Sequence, residues 1–463
     1  MERQVRVRLG DVFVAGGMPR VTYNPRPSLH LEEKVADYLD ERHKILSVSG
    51  PTKTGKTVLV RRALAKESSI WVAGGDIRTL SDLWAIIADE LAVNTTHETT
   101  RQDGASAGRT TGLEMGIKGF IAGQRQGQET MSATHTDKLA RERPTGRAAK
   151  RALATTRHVL VIDDFHYIAT SVQLEIVRAL KDLIFDGVPV IVIAVPHRAY
   201  DVVRVEKEMT GRVQHLSVGF WSNDELMEIA QRGFTALGAV DEGAEIATRL
   251  ASESFASPHL MQEFCLHVCK YNGIRRKADP ATALQRPSWS IFFEERALEA
   301  SKSAFDVLVR GPRQRTDRKL RPMRNGLVVD IYGAVLLAIG KTGPLTSLTY
   351  EELRNSLRDS MEADPPQRNE VTRVLEELAR ISREHLEGEP VVDYDTTLSI
   401  VHISDPYFAF FLRHRAEREL RQRAIEVPAI SINGITNFGD VRIAGDNLAG
   451  DKNIIWRNDR GSK

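Results

Sequence analysis

The chain has 463 residues, 41% apolar and 27% charged, which excludes a disordered or fibrous protein and leaves room for about two to four domains. Its 64 basic residues nearly cancel its 62 acidic ones, so the net charge of +2 identifies no partner and any nucleic-acid surface must come from local clustering. The two cysteines, Cys265 and Cys269, lie four apart in an apolar helical pattern with Leu260, Phe264 and Val268; they read as buried thiols and exclude a disulfide framework.

Residues 1–43 are a lead-in. Met1 to Arg6 lack the apolar core of a signal peptide and no apolar run reaches transmembrane length, so a cytoplasmic protein without membrane contact is expected. Tyr23-Asn24-Pro25-Arg26 reads as a turn, and Leu31, Val35, Tyr38 and Leu39 predict an amphipathic helix over 30–43. From 44 to 220 strands and helices alternate, the pattern of a parallel α/β sheet. The predicted strands are 45–48, 70–72, 158–162 and 188–195; the predicted helices are 56–66, 81–92 and 172–185. Between them, 94–151 is rich in Gly, Thr, Ser, Arg and Gln and is expected to be a long mobile insertion, with an apolar island at 113–121.

Residues 221–309 open on a capping box, Ser222 to Glu225, and are mainly helical to about 272. A basic linker follows over 310–326. The next module, 327–420, reads helix (328–339), short strand (345–348), helix (350–359, with Thr349 and Glu352 as capping box), helix (367–383), two strands (391–394 and 398–403) and a helix after Asp405-Pro406. That is the order of a winged helix-turn-helix. In 421–463, Gly-Asp recurs at 439–440, 445–446 and 450–451 among Ile430, Ile432 and Ile435, which predicts a short β-rich tail with tight turns.

Two segments carry chemistry. Gly50-Pro51-Thr52-Lys53-Thr54-Gly55-Lys56-Thr57 lies between an apolar run and the helical run that starts at Val58, the strand–loop–helix setting of a phosphate-binding loop. Its glycines let backbone N–H groups converge on phosphate oxygens at a helix N-terminus. Lys56 is placed to reach the β- and γ-phosphates, and the Thr57 hydroxyl to ligate Mg²⁺. The second segment is the apolar run into Asp163-Asp164. Asp163, at the end of a buried strand expected beside the strand feeding the loop, would anchor the Mg²⁺.

These segments, followed by a helical region and a winged helix, resemble the AAA+/STAND group of P-loop ATPases, notably its origin-recognition-like and archaeal ATPase branch. The resemblance covers about residues 20–415. It implies an α/β fold: a P-loop AAA+ parallel-sheet core, a helical lid, a winged helix and a short Gly-Asp tail. It also implies ATP and Mg²⁺ as cofactors, ATP hydrolysis and a nucleotide-dependent homo-oligomer. The sequence carries no nuclease, protease or TIR-like catalytic constellation, so a separate effector protein is expected. Asp164 stands where many such ATPases carry a glutamate that polarises water; being one methylene shorter, it implies slow turnover. His197, after the strand ending at Val195, is similar to the sensor 1 position but lacks its usual asparagine or threonine. Arg212, in Thr210-Gly211-Arg212, is similar to an arginine finger serving a neighbouring subunit, with Arg198 and Arg204 as rivals. Ser257-Pro258-His259 resembles the lid segment that brings His259 to the β-phosphate, although proline in a first turn beside a half-buried histidine has an ordinary structural reading too. Tyr23 to Arg26 is similar to the family's entry segment near adenine. The Gly-Asp tail resembles those of some bacterial signalling and antiviral defence ATPases.

A DNA-binding loader is the competing expectation. Residues 310–324 carry seven Arg or Lys against one Asp, and Arg313, Arg315, Arg318 and Lys319 are candidates for double-stranded DNA phosphates. Against this, the helix after 367 mixes Arg368, Arg373, Arg380 and Arg383 with Glu370, Glu376 and Glu377, as a solvated helix does.

Overall fold

The computed structural model describes residues 7–91, 146–156, 158–195, 211–298, 301–312, 319–343, 345–386 and 390–426. The chain divides into two units, Met1–Leu420 and Arg421–Lys463. Of the second only 421–426 are described, and they are helical, where the Gly-Asp pattern predicts strand for the tail as a whole.

The centre of the first unit is a five-stranded sheet: β1 (Ile45–Ser49), β2 (Ser69–Ala73), β3 (Val159–Asp163), β4 (Val190–Ala194) and β5 (Val213–Ser217). The order is β2-β3-β4-β1-β5 and every pairing is parallel. This is the core of a P-loop AAA+ fold. It corrects one expectation: β3, which ends in Asp163, is not beside β1, because β4 lies between them. β5 was not predicted, since Gln214, His215 and Ser217 dilute its apolar pattern.

Alternation along the strands sends successive side chains to opposite faces, and both faces are covered by helices. Ile45, Leu160, Ile162, Val190 and Val192 face the helices over 80–91 and 146–156 and the helix Thr170–Phe185. Leu46, Val48, Val161, Ile191 and Ile193 face α1 (Leu31–Glu41) and α2 (Lys56–Ala63). The helix over 146–156 begins inside the stretch expected to be insertion, and it buries Ala149 and Leu153.

After the sheet come α3 (Asn223–Leu237), α4 (Glu245–Ser252) and α5 (Pro258–Tyr271). The Ser222–Glu225 capping box is present. Cys265 and Cys269 are buried thiols of α5, and burial pushes Cys269 up to about 12. Two further helices, α6 (Trp289–Leu298) and α7 (Lys302–Arg310), lead to the C-terminal module. This holds α8 (Ile331–Lys341), β6 (Ser347–Thr349), α9 (Tyr350–Ser360), α10 (Arg368–His385), β7 (Val392–Asp395), β8 (Ile400–Ile403) and α11 (Pro406–His414). Its strands form an antiparallel sheet in the order β6-β8-β7. The helix expected from Val328 starts later, because Val328–Val329 pair with Arg321–Pro322 and Asp330 caps α8 by accepting from Gly333 N at 2.9 Å. One continuous apolar core, from Leu226 through Phe264 and Phe293 to Phe410, joins α3–α7 to the C-terminal module.

Candidate nucleotide-binding site

β1 delivers the chain to Gly50, where a Cβ would stand 2.2 Å from the Val218 carbonyl oxygen, so only glycine fits beside the end of β5. The loop closes on itself: Thr54 Oγ1 donates to the Pro51 carbonyl at 2.7 Å. Gly55, at φ +94°, turns the chain into α2. Lys56 is only 8% exposed, and its ammonium donates to the carbonyls of Gly50 (2.8 Å) and Pro51 (2.9 Å). Thr52 Oγ1, also in the loop, is buried without a hydrogen-bond partner, a polar atom left unsatisfied beside the cavity.

Thr57 Oγ1, in the first turn of α2, donates to Asp163 Oδ2 at 3.0 Å, although β1, which feeds the loop, and β3 are not neighbours. Burial, then the adjacent Asp164, pushes the Asp163 carboxyl above its ordinary range, against the pull of Thr57 and Lys56. Asp164 sits at φ +54° and lines the cavity. Behind it Gly74 is close-packed, since a Cβ there would stand 2.2 Å from the Asp164 carbonyl oxygen. Thr57 and Asp163 are a hard oxygen pair that fits Mg²⁺, an ion commonly held by one or two protein groups plus phosphate oxygens. Among the described residues there is no group of three or more His, Cys, Asp or Glu that could hold a metal ion.

The loop forms one wall of a cavity of about 560 Å³, lined by residues 52–59, Asp164, Tyr23, Arg26, Pro258 and His259. A family model described as an AAA domain matches residues 39–203, the span holding both the loop and Asp163. The chain contains an AAA domain. Its fold is similar to that of the ORC2 protein of Aeropyrum pernix (13% identity, 89% of this chain, 98% of that chain, TM-score 0.46). It is similar also to Cdc6p of Pyrobaculum aerophilum (13% identity, 90% of this chain, 99% of that chain, TM-score 0.40). A third similar structure is a STAND protein with a tetratricopeptide-repeat sensor from Pyrococcus horikoshii (13% identity, 89% of this chain, 46% of that chain, TM-score 0.33). Among curated proteins none matches the chain.

Outside the loop, the cavity of the AAA domain is completed by residues far apart in sequence. Val14, Ala15, Gly16, Gly17, Met18 and Pro19 line it, a wall that sequence reasoning missed. Its one signal was the turn-forming Gly16-Gly17-Met18-Pro19 after the apolar Val12-Phe13-Val14. Phe13 anchors it against α3, where a Cβ on Gly233 would meet the ring at 2.2 Å. Val14 N donates to Gln262 Oε1 at 3.2 Å. Arg26 borders the cavity, but its guanidinium is engaged by Glu225 (2.9 Å) and the carbonyls of Gly219 (2.9 Å) and Phe220 (2.6 Å). The Tyr23 hydroxyl donates to Glu32 at 2.7 Å.

Pro258 opens α5 behind the Ser257 cap, and His259 Nδ1 lies 2.7 Å from the Tyr407 hydroxyl. Burial, then the charge of Lys53, lowers the His259 pKa, which favours the neutral ring at neutral pH. Arg212 is exposed, and its carbonyl accepts from Ile45 N at the start of β1, so it lies at the opposite end of the sheet from the loop. His197, Arg198, Arg204, Arg313, Arg315 and Arg318 lie outside the described residues; Lys319 is described and exposed.

Proposed function

We propose that the AAA domain binds ATP with Mg²⁺ and hydrolyses it slowly, and that the bound nucleotide sets the arrangement of a helical lid and a C-terminal winged helix. The observation that carries this reading is the convergence on one cavity of buried Lys56, Thr57 with Asp163 bonded behind it, Asp164, and Pro258–His259 of α5. A ligand touching both the sheet and α5 has differential contacts with their open and closed arrangements, as a two-state switch requires.

Each residue has a role in this proposal. Lys56, on the helix N-terminus, stabilises charge on the β- and γ-phosphate oxygens. Thr57 and Asp163 hold Mg²⁺, which when bound neutralises phosphate charge. Asp164 orients the attacking water, and its short side chain makes hydrolysis slow. Val14–Pro19 present backbone and apolar groups to the base. Arg212, at the far end of the sheet, serves the site of a second copy of the chain, so the ATP-bound form self-associates.

Titration of the purified chain with Mg²⁺-ATP and ADP, with steady-state phosphate release, tests the core of this reading. Binding of both with slow release is expected; failure to bind either overturns it. Mass measured in solution with ADP and then with a non-hydrolysable ATP analogue tests assembly, and an unchanged mass rejects it. Duplex DNA is the weaker reading, since Arg380, on the helix that would enter a groove, is already paired with Glu377 and Glu384.

A further inference from the structure

Lys53 stands third after Gly50 in the phosphate loop, with φ at +61°. A side chain in that left-handed region is strained, and glycine is the residue that adopts it without strain. The side chain of Lys53 leaves the loop toward the C-terminal module. Its ammonium donates to Asp405 Oδ1 at 2.9 Å and lies 4.2 Å from the centre of the Tyr407 ring. The pair is partly buried, with 30% of the lysine and 22% of the aspartate side chain exposed, which strengthens it over a surface pair.

Asp405 is itself fixed, because the same Oδ1 caps α11 by accepting from Tyr407 N at 2.9 Å. Tyr407 is fixed in turn by His259 and by donating its hydroxyl to Glu263. Three elements therefore meet at one rim of the cavity: the phosphate loop, α5 and the N-terminus of α11. Lys53 lines that cavity, as does His259.

We propose that Asp405 is a positioning residue of the nucleotide site, competing with nucleotide phosphates for the ammonium of Lys53. This rests on the cavity being a nucleoside-phosphate site. Lys53 has two acceptors within reach of its flexible stem: the Asp405 carboxylate and the terminal phosphates of a nucleoside triphosphate. The triphosphate carries one more phosphoryl group than the diphosphate, so it draws Lys53 from Asp405 more strongly. Loss of the Lys53–Asp405 pair loosens α11 from the loop, which gives the C-terminal module a direct report of how many phosphates the site holds.

The test is a double-mutant cycle on the full chain with Asp405→Asn and Lys53→Met, reading dissociation constants for ATP and ADP with Mg²⁺. Asparagine is an equally good helix cap, so Asp405→Asn removes the charge and keeps α11. The expected result is ATP binding tightened about threefold or more, with ADP binding changed less, and no effect of Asp405→Asn in the Lys53→Met background. Equal ATP affinity in the natural chain and Asp405→Asn, or the same gain in the Lys53→Met background, overturns the proposal while leaving the nucleotide site standing. A folded natural chain that binds neither nucleotide overturns both. Should Asp405→Asn not fold, Asp405→Ser, which also caps a helix without the charge, takes its place: tighter ATP binding supports competition, and unchanged ATP affinity rejects it.

Discussion

Lys56 and Arg380 are both basic residues of helices with several hydrogen bonds, yet their surroundings are opposite. Lys56 opens α2, is buried, and donates to the carbonyls of Gly50 and Pro51 on the wall of a cavity. Arg380 lies on the outer face of α10 and is paired with Glu377 and Glu384 of the same helix. The two carbonyls that Lys56 donates to carry no net charge, whereas the partners of Arg380 are carboxylates one turn away that neutralise it. A count of basic residues does not distinguish the two places, whereas the identity of their partners does.

The sharpest way to break this comparison is Lys56→Ala, which removes a charge-assisted donor from the loop. ATP affinity should fall roughly 10- to 100-fold in a binding titration; an unchanged affinity would place the phosphates elsewhere. Asp163→Asn keeps an acceptor for Thr57 and removes the charge. Phosphate release should fall about 100-fold or more while metal-free nucleotide binding persists, since binding and metal-assisted turnover then separate.

Glu253, at the end of α4, shows what burial does to a carboxylate that is fully paired. Its side chain is 2% exposed and accepts from Arg413 Nε (2.8 Å) and His414 Nε2 (3.0 Å) of α11. Burial by itself would raise the Glu253 carboxyl, but His414 and Arg413 outweigh it and hold the group at about 2, below its ordinary 4.5. A depressed folded value means that the stability is present above pH 4.5 and is lost as pH falls toward 2. Glu253→Gln should destabilise the fold by about 3 kcal/mol in chemical denaturation near neutral pH, and should flatten the acid limb of stability against pH. The smallest effect belongs to Arg380→Ala, an exposed pair within one helix. Its melting temperature and nucleotide affinity should stay at the natural values, and a clear loss of either would mean that α10 is not merely a solvated surface.

Much of the site was legible because local rules govern it. Glycine spacing in the loop, the apolar run into Asp163, and the capping boxes at Ser222–Glu225 and Thr349–Glu352 each act within a few residues and need no partner from elsewhere. The boundaries that slipped did so for equally physical reasons. Val328 carries an apolar side chain that suits a helix as well as a strand, and its pairing with Pro322, six residues earlier, takes it out of the helix. The Val14–Pro19 wall showed only a turn signal, because its role depends on shape and backbone rather than on side-chain chemistry.

By itself, then, the sequence determined that a phosphate loop leads into a helix, that a buried strand ends in two carboxylates, and that the chain alternates into a parallel sheet. Hydrogen-bonding geometry and hydrophobic period operate at short range, and those features need nothing more. Only the tertiary structure decided that β4 separates β1 from β3, that Thr57 nevertheless meets Asp163 at 3.0 Å, and that Lys53 meets Asp405 from 352 positions away. Such contacts depend on how covered sheet faces and one shared apolar core bring remote segments together, and no local pattern encodes that packing.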